Sequence, residues 1–512
     1  MAYLPFLSLR KEMIIRENQH FYLLLFLGTV AVLFASQLAP FASKVPSPDS
    51  SVFIYCAQQI LDGKIMYKEI FDHKGPLLYV FNILGILLGK GNSSGIWYIE
   101  VVSLFVSLLY IYKSICLFWS KDIAFFSAFS CLLFFISAFR QGNLAEEYSI
   151  LFISISLYYF VHFFKERKIR RVHFSIIAVC FVCVLLLKAT GVAIWLVGWL
   201  MVAFLLLKEK KITDLLKIAL VTLGMIILTL LPFTAYLFFT NSFVDFKFCY
   251  WDFNQAYSNL SSNSCEIIYR TIKRFFFSDI KRLYSLHILL CLSIILFIFY
   301  FFNKAYKDKL PILFYFISLI ATGMAISISS TNFLHYYLLY LPVLPCFYAM
   351  IYNIIKQRLK SHVFLFLSIF LFIFHTIPML VFYKEVRFCF QKQEFVNEIV
   401  SFIEDHTQKE DNIYIVGHEC IFYNLSHRES ASKYPYLFPI VAIKSQRDTI
   451  MKQFYRDMEV NQPKVICKKW YSTFWMEHGD LPITEIDAFL EKNYLKVQNI
   501  GGFDCYLRKA LR

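Results

Sequence analysis

Residues 40–76 read PFASKVPSPDSSVFIYCAQQILDGKIMYKEIFDHKGP, and this polar stretch decides how the chain must be organised. It follows an apolar run, residues 21–39, whose length is close to the ~20 residues with which a helix crosses a bilayer. Most of the chain after it consists of apolar runs joined by short loops. Among its ionisable side chains are Asp49, Asp62, Glu69, Asp72, His73 and Lys74. Such a chain either moves a molecule across a membrane or does chemistry at its surface.

The composition points to a polytopic, all-α membrane protein. The 512 residues are 58% hydrophobic and only 17% charged, more apolar surface than a soluble domain of this size could hide. Lipid-exposed backbone must satisfy its own hydrogen bonds, which favours helices. The net charge of +15 comes mostly from basic clusters in short loops, as the positive-inside rule expects, and predicts no nucleic-acid partner.

Loop charges predict the topology. Arg10, Lys11 and Arg16 place the N-terminus in the cytoplasm and the stretch 40–76 outside. The next apolar segment, residues 77–89, is too short for an ordinary span and fits either a short transmembrane helix or an interfacial one. Counting back from the basic cluster KERKIRR at 165–171 puts both of its flanks outside. We therefore expect an interfacial helix, and a first external loop from residue 40 to about 95.

The same alternation predicts about eleven spans, in a membrane domain of residues 1–383. The spans are expected at 21–39, 96–118, 123–139, 148–164, 172–187, 191–207, 215–239, 287–302, 311–328, 337–355 and 363–382. Residues 384–512 are water-soluble in composition and predict a small extracytoplasmic α/β domain. Its helices are expected at 394–406 and 483–493, and its strands at 412–416, 464–467 and 503–507.

Two residues of the first external loop have the chemistry of a transfer site. Asp49 lies just outside the first span beside two prolines that limit the freedom of the backbone. It suits a general base for a hydroxyl acceptor; the alternative is an N-cap of the following helix, and the two roles are compatible. Lys74 precedes the interfacial segment, where a cation can pair with a phosphate leaving group; the alternative is a lysine that snorkels to lipid headgroups.

Further candidates lie in later external loops. Arg140, Glu146 and Glu147 belong to the loop RQGNLAEE, and adjacent carboxylates at a bilayer edge are costly unless they are solvated, paired or metal-bound. The glutamates could bind a divalent ion or orient an acceptor, or simply cap the next helix. His335, followed by Tyr336, lies at the outer mouth of a late span, where a role in binding phosphate or metal is the alternative to the structural role that a lone histidine usually has. Glu146, Glu147 and His335 are thus the candidate metal ligands.

At these motifs the chain resembles the GT-C superfamily of glycosyltransferases, in particular the bacterial aminoarabinose transferases and protein O-mannosyltransferases. The resemblance covers residues 15–383 and rests on Asp49, Lys74-Gly75-Pro76, Glu146/Glu147 and His335-Tyr336. The chain departs from the family pattern at two places. Ser50-Ser51 follows Asp49 where several members carry an Asp-Glu pair, and Gly75 replaces the first proline of a Lys-Pro-Pro pattern.

The resemblance implies an inverting enzyme that moves a hexosyl or pentosyl group from a polyprenyl-phosphate donor to an external acceptor, which is an envelope glycan, a lipid or a protein. Asp49 would be the base. Lys74, Arg140 and His335 would hold the phosphate, while Glu146 or Glu147 would orient the substrate or a divalent metal. Two rivals are a transporter or flippase for lipid-linked sugars and a polymerase or ligase for envelope glycans. A transporter usually carries polar residues or helix breaks at mid-membrane, whereas the ionisable residues here gather in external loops.

Overall fold

The computed structural model describes residues 4–258, 264–276, 284–304, 306–329, 332–358, 383–384, 386–387, 393–469 and 483–509. Up to Arg358 the described chain is almost entirely helical, as expected for a membrane domain. Its helices are α1 (Leu4–Leu33), α2 (Pro48–Leu61), α3 (Pro76–Leu88), α4 (Gly95–Cys116), α5 (Lys121–Phe134), α6 (Ile136–Phe139), α7 (Ala145–Glu166), α8 (Arg171–Leu185), α9 (Ala193–Lys208), α10 (Ile212–Phe239), α11 (Phe243–Phe246), α12 (Phe253–Ser258), α13 (Ser264–Phe276), α14 (Tyr284–Phe302), α15 (Lys309–Ser327) and α16 (Pro345–Arg358). Two 3₁₀ helices (Ala189–Val192, Leu334–Tyr340) and a π-helix (Lys247–Asp252) join them.

Fewer helices than predicted are long and apolar enough to cross a membrane. Five described helices qualify, namely Gly95–Cys116, Ala189–Lys208 and the helices α7, α10 and α15. A sixth span is possible if Leu334–Tyr340 and Pro345–Gln357, bent by 61° at their break, count as one. The expected number of eleven is not confirmed, and the predicted span 363–382 lies outside the described residues.

The two short helices after the first apolar run position the first polar loop. Helix α2 has Ser47 as its N-cap, whose hydroxyl accepts from the backbone N–H of Ser50 at 3.4 Å. The alternative that Asp49 is the cap is therefore wrong: Asp49 lies inside the first turn, where the helix dipole favours a carboxylate. Helix α3, with 13 residues, rises only about 20 Å, too short for an ordinary span. Its interfacial placement stays a prediction.

The C-terminal domain contains a five-stranded mixed sheet of order β2-β1-β3-β5-β4. Strands β2, β1 and β3 are parallel, and β3, β5 and β4 are antiparallel. The strands are β1 (Asn412–Val416), β2 (Glu429–Ser430), β3 (Val465–Lys469), β4 (Tyr494–Ile500) and β5 (Phe503–Arg508), and the helices α17 (Glu394–His406), α18 (Ile421–Ser426), α19 (Phe438–Ala442), α20 (Arg447–Asn461) and α21 (Ile483–Asn493), with a 3₁₀ turn at Lys444–Gln446. All three predicted strands and both predicted helices are present. The predicted domain boundary at 383/384 adjoins residues that are not described, and it stays a prediction.

This domain packs directly on the first polar loop, the segment predicted to be external. One hydrophobic cluster contains Phe53 and Phe71 of the loop together with Ile413 and Tyr414 of β1. Polar contacts tie the same surfaces together, since the N–H of Phe71 donates to the carbonyl of Lys433 at 2.8 Å. Side chains that the C-terminal domain presents to the loop therefore lie beside Asp49 and Lys74.

Candidate active site

Lys74 is held by its neighbour in the chain. Its ammonium nitrogen lies 2.9 Å from Nε2 of His73. An ammonium group only donates, so His73 must accept at Nε2 and carry its proton on Nδ1. That nitrogen lies 3.3 Å from Oδ1 of Asp72. Burial and the Lys74 charge lower the pKa of His73, which agrees with a neutral ring.

Asp72 anchors this row of side chains. It is buried and accepts hydrogen bonds from Tyr79 at 2.5 Å and from Tyr436 of the C-terminal domain at 2.6 Å. Burial by itself would raise the pKa of Asp72, but the His73 hydrogen bond and the nearby charges outweigh it, and the pKa is lowered. The ionised carboxylate in turn favours a charged lysine. Burial acts to lower the pKa of Lys74, yet Tyr336, Asp72, Glu146 and Asp49 raise it above its ordinary value.

The backbone beside Lys74 is joined to the segment that follows helix α8. The N–H of Gly75 donates to the carbonyl of Leu187 at 3.2 Å, and the N–H of Leu77 donates to Leu186 at 3.0 Å. A Cβ at position 75 would lie 2.1 Å from the carbonyl oxygen of Leu186, so no larger residue fits. The departure from the Lys-Pro-Pro pattern thus has a physical reason. A proline at position 75 could not donate the hydrogen bond to Leu187, and its ring would clash with the carbonyl oxygen of Leu186.

The same contact brings Lys188 to the site. Its ammonium group pairs with Oε1 of Glu146 and lies 3.8 Å from the ring centroid of Tyr336. Nε2 of His335 lies 3.9 Å from the same carboxylate oxygen. Glu146, His335 and Tyr336, predicted from two separate loops, therefore meet around a lysine that sequence reasoning did not select.

Two predicted residues lie to one side of this cluster. Glu147 is buried on the side of Glu100, which accepts a hydrogen bond from the N–H of Asn143 at 2.5 Å. The backbone carbonyl of Arg140 accepts from the N–H of Gln37 at 3.0 Å, close to the end of α1. A role for Glu147 in orienting substrate and a role for Arg140 in phosphate binding stay predictions.

Asp49 faces the C-terminal domain. Its Oδ1 lies 3.8 Å from Nε2 of His418, which follows strand β1. The Asp49 side chain keeps 43% of its surface exposed, so a substrate can reach it. Burial lowers the pKa of His418 more than Asp49 and the other carboxylates raise it. The ring is therefore neutral at neutral pH.

The predicted metal ligands do not fit a metal site in this arrangement. A divalent ion needs carboxylate or imidazole atoms that converge without a cation between them. Glu146 instead gives an oxygen to the Lys188 ammonium group, and Glu147 lies toward Glu100. Within the part of the chain that the structure describes, no group of three or more His, Cys, Asp or Glu residues is placed to hold a metal. The donor set suits an anion held by lysines.

A site that holds an anion with lysines should not depend on a bound metal, and chelation tests this. We expect sugar transfer by the purified protein to keep at least half of its rate after treatment with EDTA and gel filtration, because Lys74 and Lys188 carry the charge that a metal would otherwise supply. Transfer rates before treatment, after it and after re-addition of Mg²⁺, Mn²⁺ or Zn²⁺ check it. A rate that falls more than tenfold and returns with one of these ions would contradict the prediction.

Lys188, His418 and Tyr436 were the residues that sequence reasoning missed. A signal existed for Lys188, since a lysine inside the apolar run LLLKATGV is costly unless it is paired. A weaker one existed for His418, which follows a buried strand, as ligand-binding residues of parallel sheets do. Tyr436 lies in a loop and gave no signal.

Comparison with solved structures decides the fold. ArnT from Cupriavidus metallidurans in the apo state superposes with a TM-score of 0.61 at 12% identity, over 95% of this chain and 97% of that one. The chain has a GT-C fold. ArnT bound to undecaprenyl phosphate gives a TM-score of 0.60 at 14% identity, over 96% and 98% of the two chains.

A second kind of GT-C protein superposes equally well. The Archaeoglobus fulgidus oligosaccharyltransferase, in complex with Zn and sulfate, gives a TM-score of 0.60 at 13% identity, over 95% of this chain and 73% of that one. No protein-family model matches the sequence, and no curated protein matches it significantly. At such identities the likeness is one of fold, so the activity has to be argued from the site.

Proposed function

We propose that the protein is an inverting glycosyltransferase that moves a hexosyl or pentosyl group from a polyprenyl-phosphate donor to an extracytoplasmic acceptor. The observation that carries the proposal is the placement of a half-exposed carboxylate, Asp49, beside a cluster with two lysines, Lys74 and Lys188. Transfer from a lipid phosphate needs these two kinds of group: a base for the acceptor and cations for the leaving phosphate.

The chemistry divides between the two sides of the site. An acceptor hydroxyl attacks the anomeric carbon and gives its proton to Asp49, while the bond from that carbon to the phosphate oxygen breaks. The electron pair of that bond stays on the phosphate, where Lys74 and Lys188 stabilise the charge. Attack opposite the leaving group inverts the anomeric configuration. Polyprenyl phosphate then leaves, and Asp49 returns its proton to water.

The lipid part of the donor has a route to the site along helix α3. Val80, Leu84 and Leu87 lie on one face of this helix and are exposed, as side chains in contact with lipid are. Lys74 lies two residues before the first residue of the helix, so a phosphate at the end of a lipid chain would meet the cation at bilayer-edge depth. That one of the solved GT-C proteins is bound to undecaprenyl phosphate supports this donor class.

The proposed reaction takes place at the outer face of the membrane. The chain would lie in a bacterial plasma membrane with about eleven spans, the N-terminus in the cytoplasm, and loop 40–95 and residues 384–512 outside. The acceptor is then an envelope glycan, a lipid or a protein on the outer face. A divalent metal plays no part in the proposed steps.

The test is mass spectrometry of envelope glycans and lipid-linked sugars in a strain that lacks this protein. We expect one glycan to lose a sugar and the matching polyprenyl-phosphate sugar to accumulate on the outer leaflet, with both changes reversed by the wild-type gene. Accumulation on the cytoplasmic leaflet would instead indicate a flippase. Accumulation of unpolymerised glycan units on a lipid carrier would indicate a polymerase or ligase.

A further inference from the structure

The C-terminal domain places one edge of its sheet against the site. After β1 the chain passes to β2 on one side, and after β2 it returns through α20 to β3 on the other side of β1. The carboxyl ends of β1 and β3 therefore flank a topological switch point, the position where parallel sheets bind ligands. Gly417, His418 and Glu419 follow β1 at this edge, and Lys469 ends β3 and pairs with Glu419.

His418 is the side chain of this edge that approaches Asp49. Its ring packs against Tyr436, with centroids 4.9 Å apart and planes at 70°, and against Phe438 at 5.9 Å. Its backbone N–H donates to Oε2 of Glu419 at 2.9 Å, and its carbonyl accepts from the Ser51 hydroxyl at 3.4 Å. The ring is thus packed within the C-terminal domain, while the backbone of His418 is bonded to Ser51 of helix α2.

Asp49 needs such a neighbour. A half-exposed aspartate on the first turn of a helix can turn both carboxylate oxygens toward water. A base that is not held in one orientation accelerates the reaction less, because it is seldom in the geometry for proton transfer. One fixed oxygen would leave the other at a defined position for an acceptor hydroxyl. The separation of 3.8 Å exceeds a direct hydrogen bond, and catalytic contacts often close to bonding distance only when substrate binds.

We propose that His418 is a positioning residue for Asp49, and that the C-terminal domain in this way completes the acceptor half of the site. The imidazole holds Oδ1 of Asp49 so that Oδ2 takes the proton of the acceptor hydroxyl. This inference rests on the proposed transferase function and adds to it a role for the soluble domain.

The role has a consequence for pH. The titratable groups that face His418 are Asp49, Glu419, Asp72, Lys74 and the phenol of Tyr436. Burial lowers the pKa of His418, so the ring is neutral near pH 7 and gains a proton only in more acidic solution. The imidazolium would then pair with the Asp49 carboxylate and make it a weaker base. Activity should therefore fall on acidification, with His418 contributing to this acid limb.

The experiment compares wild type, His418→Ala and His418→Gln in one transfer assay. The donor is the lipid extract of the deletion strain, the acceptor is its envelope fraction, and the rate is measured between pH 4.5 and 8.5. We expect His418→Ala to lower the maximal rate at least tenfold with little change in KM for the lipid donor. Glutamine can still donate to Asp49, so His418→Gln should keep most of the rate at neutral pH and shift the acid limb to lower pH.

His427→Asn is the matched control, since His427 is an exposed histidine of the same domain in a left-handed conformation that asparagine tolerates. It should leave the rate and the pH profile unchanged. A His418→Ala rate within twofold of wild type, or an unshifted acid limb in His418→Gln, overturns the positioning role. If His418→Ala does not fold, His418→Gln decides alone. A wild-type protein that transfers nothing in this assay overturns the proposed function itself, and the role with it.

Discussion

Asp49→Asn should lower the rate of sugar transfer by about 10²–10⁴-fold, the range that a general base contributes. Asparagine keeps the size and the hydrogen-bonding shape of the side chain but cannot take a proton from the acceptor. The substitution should leave the fold intact, because Ser47 caps helix α2 and the Asp49 side chain is half exposed. The measurement is the transfer rate of purified protein, with the deletion strain's lipid extract as donor and its envelope as acceptor.

Asp62→Asn is the control for this experiment. Asp62 lies at the other end of the same helix, where it accepts from Gln58 on the exposed surface at 3.1 Å. This variant should transfer sugar at the wild-type rate, and both variants should appear in the membrane in equal amounts. If Asp49→Asn keeps more than a tenth of the wild-type rate, Asp49 is not the base.

Lys74→Gln should lower kcat/KM for the lipid donor by about 10²–10³-fold, as expected when one of the groups that stabilise a developing charge is removed. Glutamine can still donate to Nε2 of His73, so the row from Asp72 to residue 74 keeps its hydrogen bonds while the positive charge is lost. Binding of undecaprenyl phosphate should weaken in parallel, and titration of the purified protein with this lipid measures it.

Lys68→Ala provides the comparison, since Lys68 belongs to the same loop but its ammonium group bonds the carbonyl of Thr240 on the exposed surface. It should bind undecaprenyl phosphate as wild type does. Asp49→Asn should also bind this lipid normally, because the base acts on the acceptor rather than on the phosphate. Equal affinity of Lys74→Gln and wild type for undecaprenyl phosphate would remove Lys74 from the phosphate site.

The sequence predicted the parts of the site that belong to recognisable polar loops. Asp49 and Lys74 could be selected as candidates because the polar loop after the first apolar run carries few side chains that combine charge with a rigid backbone. Glu146 and His335 could be found as ionisable groups at the mouths of spans, and the structure places them 3.9 Å apart. Lys188 was overlooked because a lysine near the end of an apolar run has a common explanation, snorkelling, and its pairing with Glu146 depends on tertiary packing.

Other features could not be predicted from local patterns. His418 meets Asp49 only because the C-terminal domain docks on the first loop, and that docking follows from shape and from the shared hydrophobic cluster rather than from periodicity. Strand β2 has only two residues, too few to show alternation. The number of spans is uncertain from hydropathy because packing ends helices inside apolar runs, as between Phe134 and Ile136.

The close backbone contact at Gly75 sets how far apart Lys74 and Lys188 lie. Lys74 precedes Gly75, whose N–H is bonded to the carbonyl of Leu187, and Lys188 directly follows Leu187. The loop before α3 and the turn after α8 are therefore fixed to each other by their backbones. Two segments more than a hundred positions apart in the sequence are therefore coupled by backbone hydrogen bonds. A Lys-Pro-Pro motif transplanted into this chain would need a redesigned turn at 185–188 to receive it.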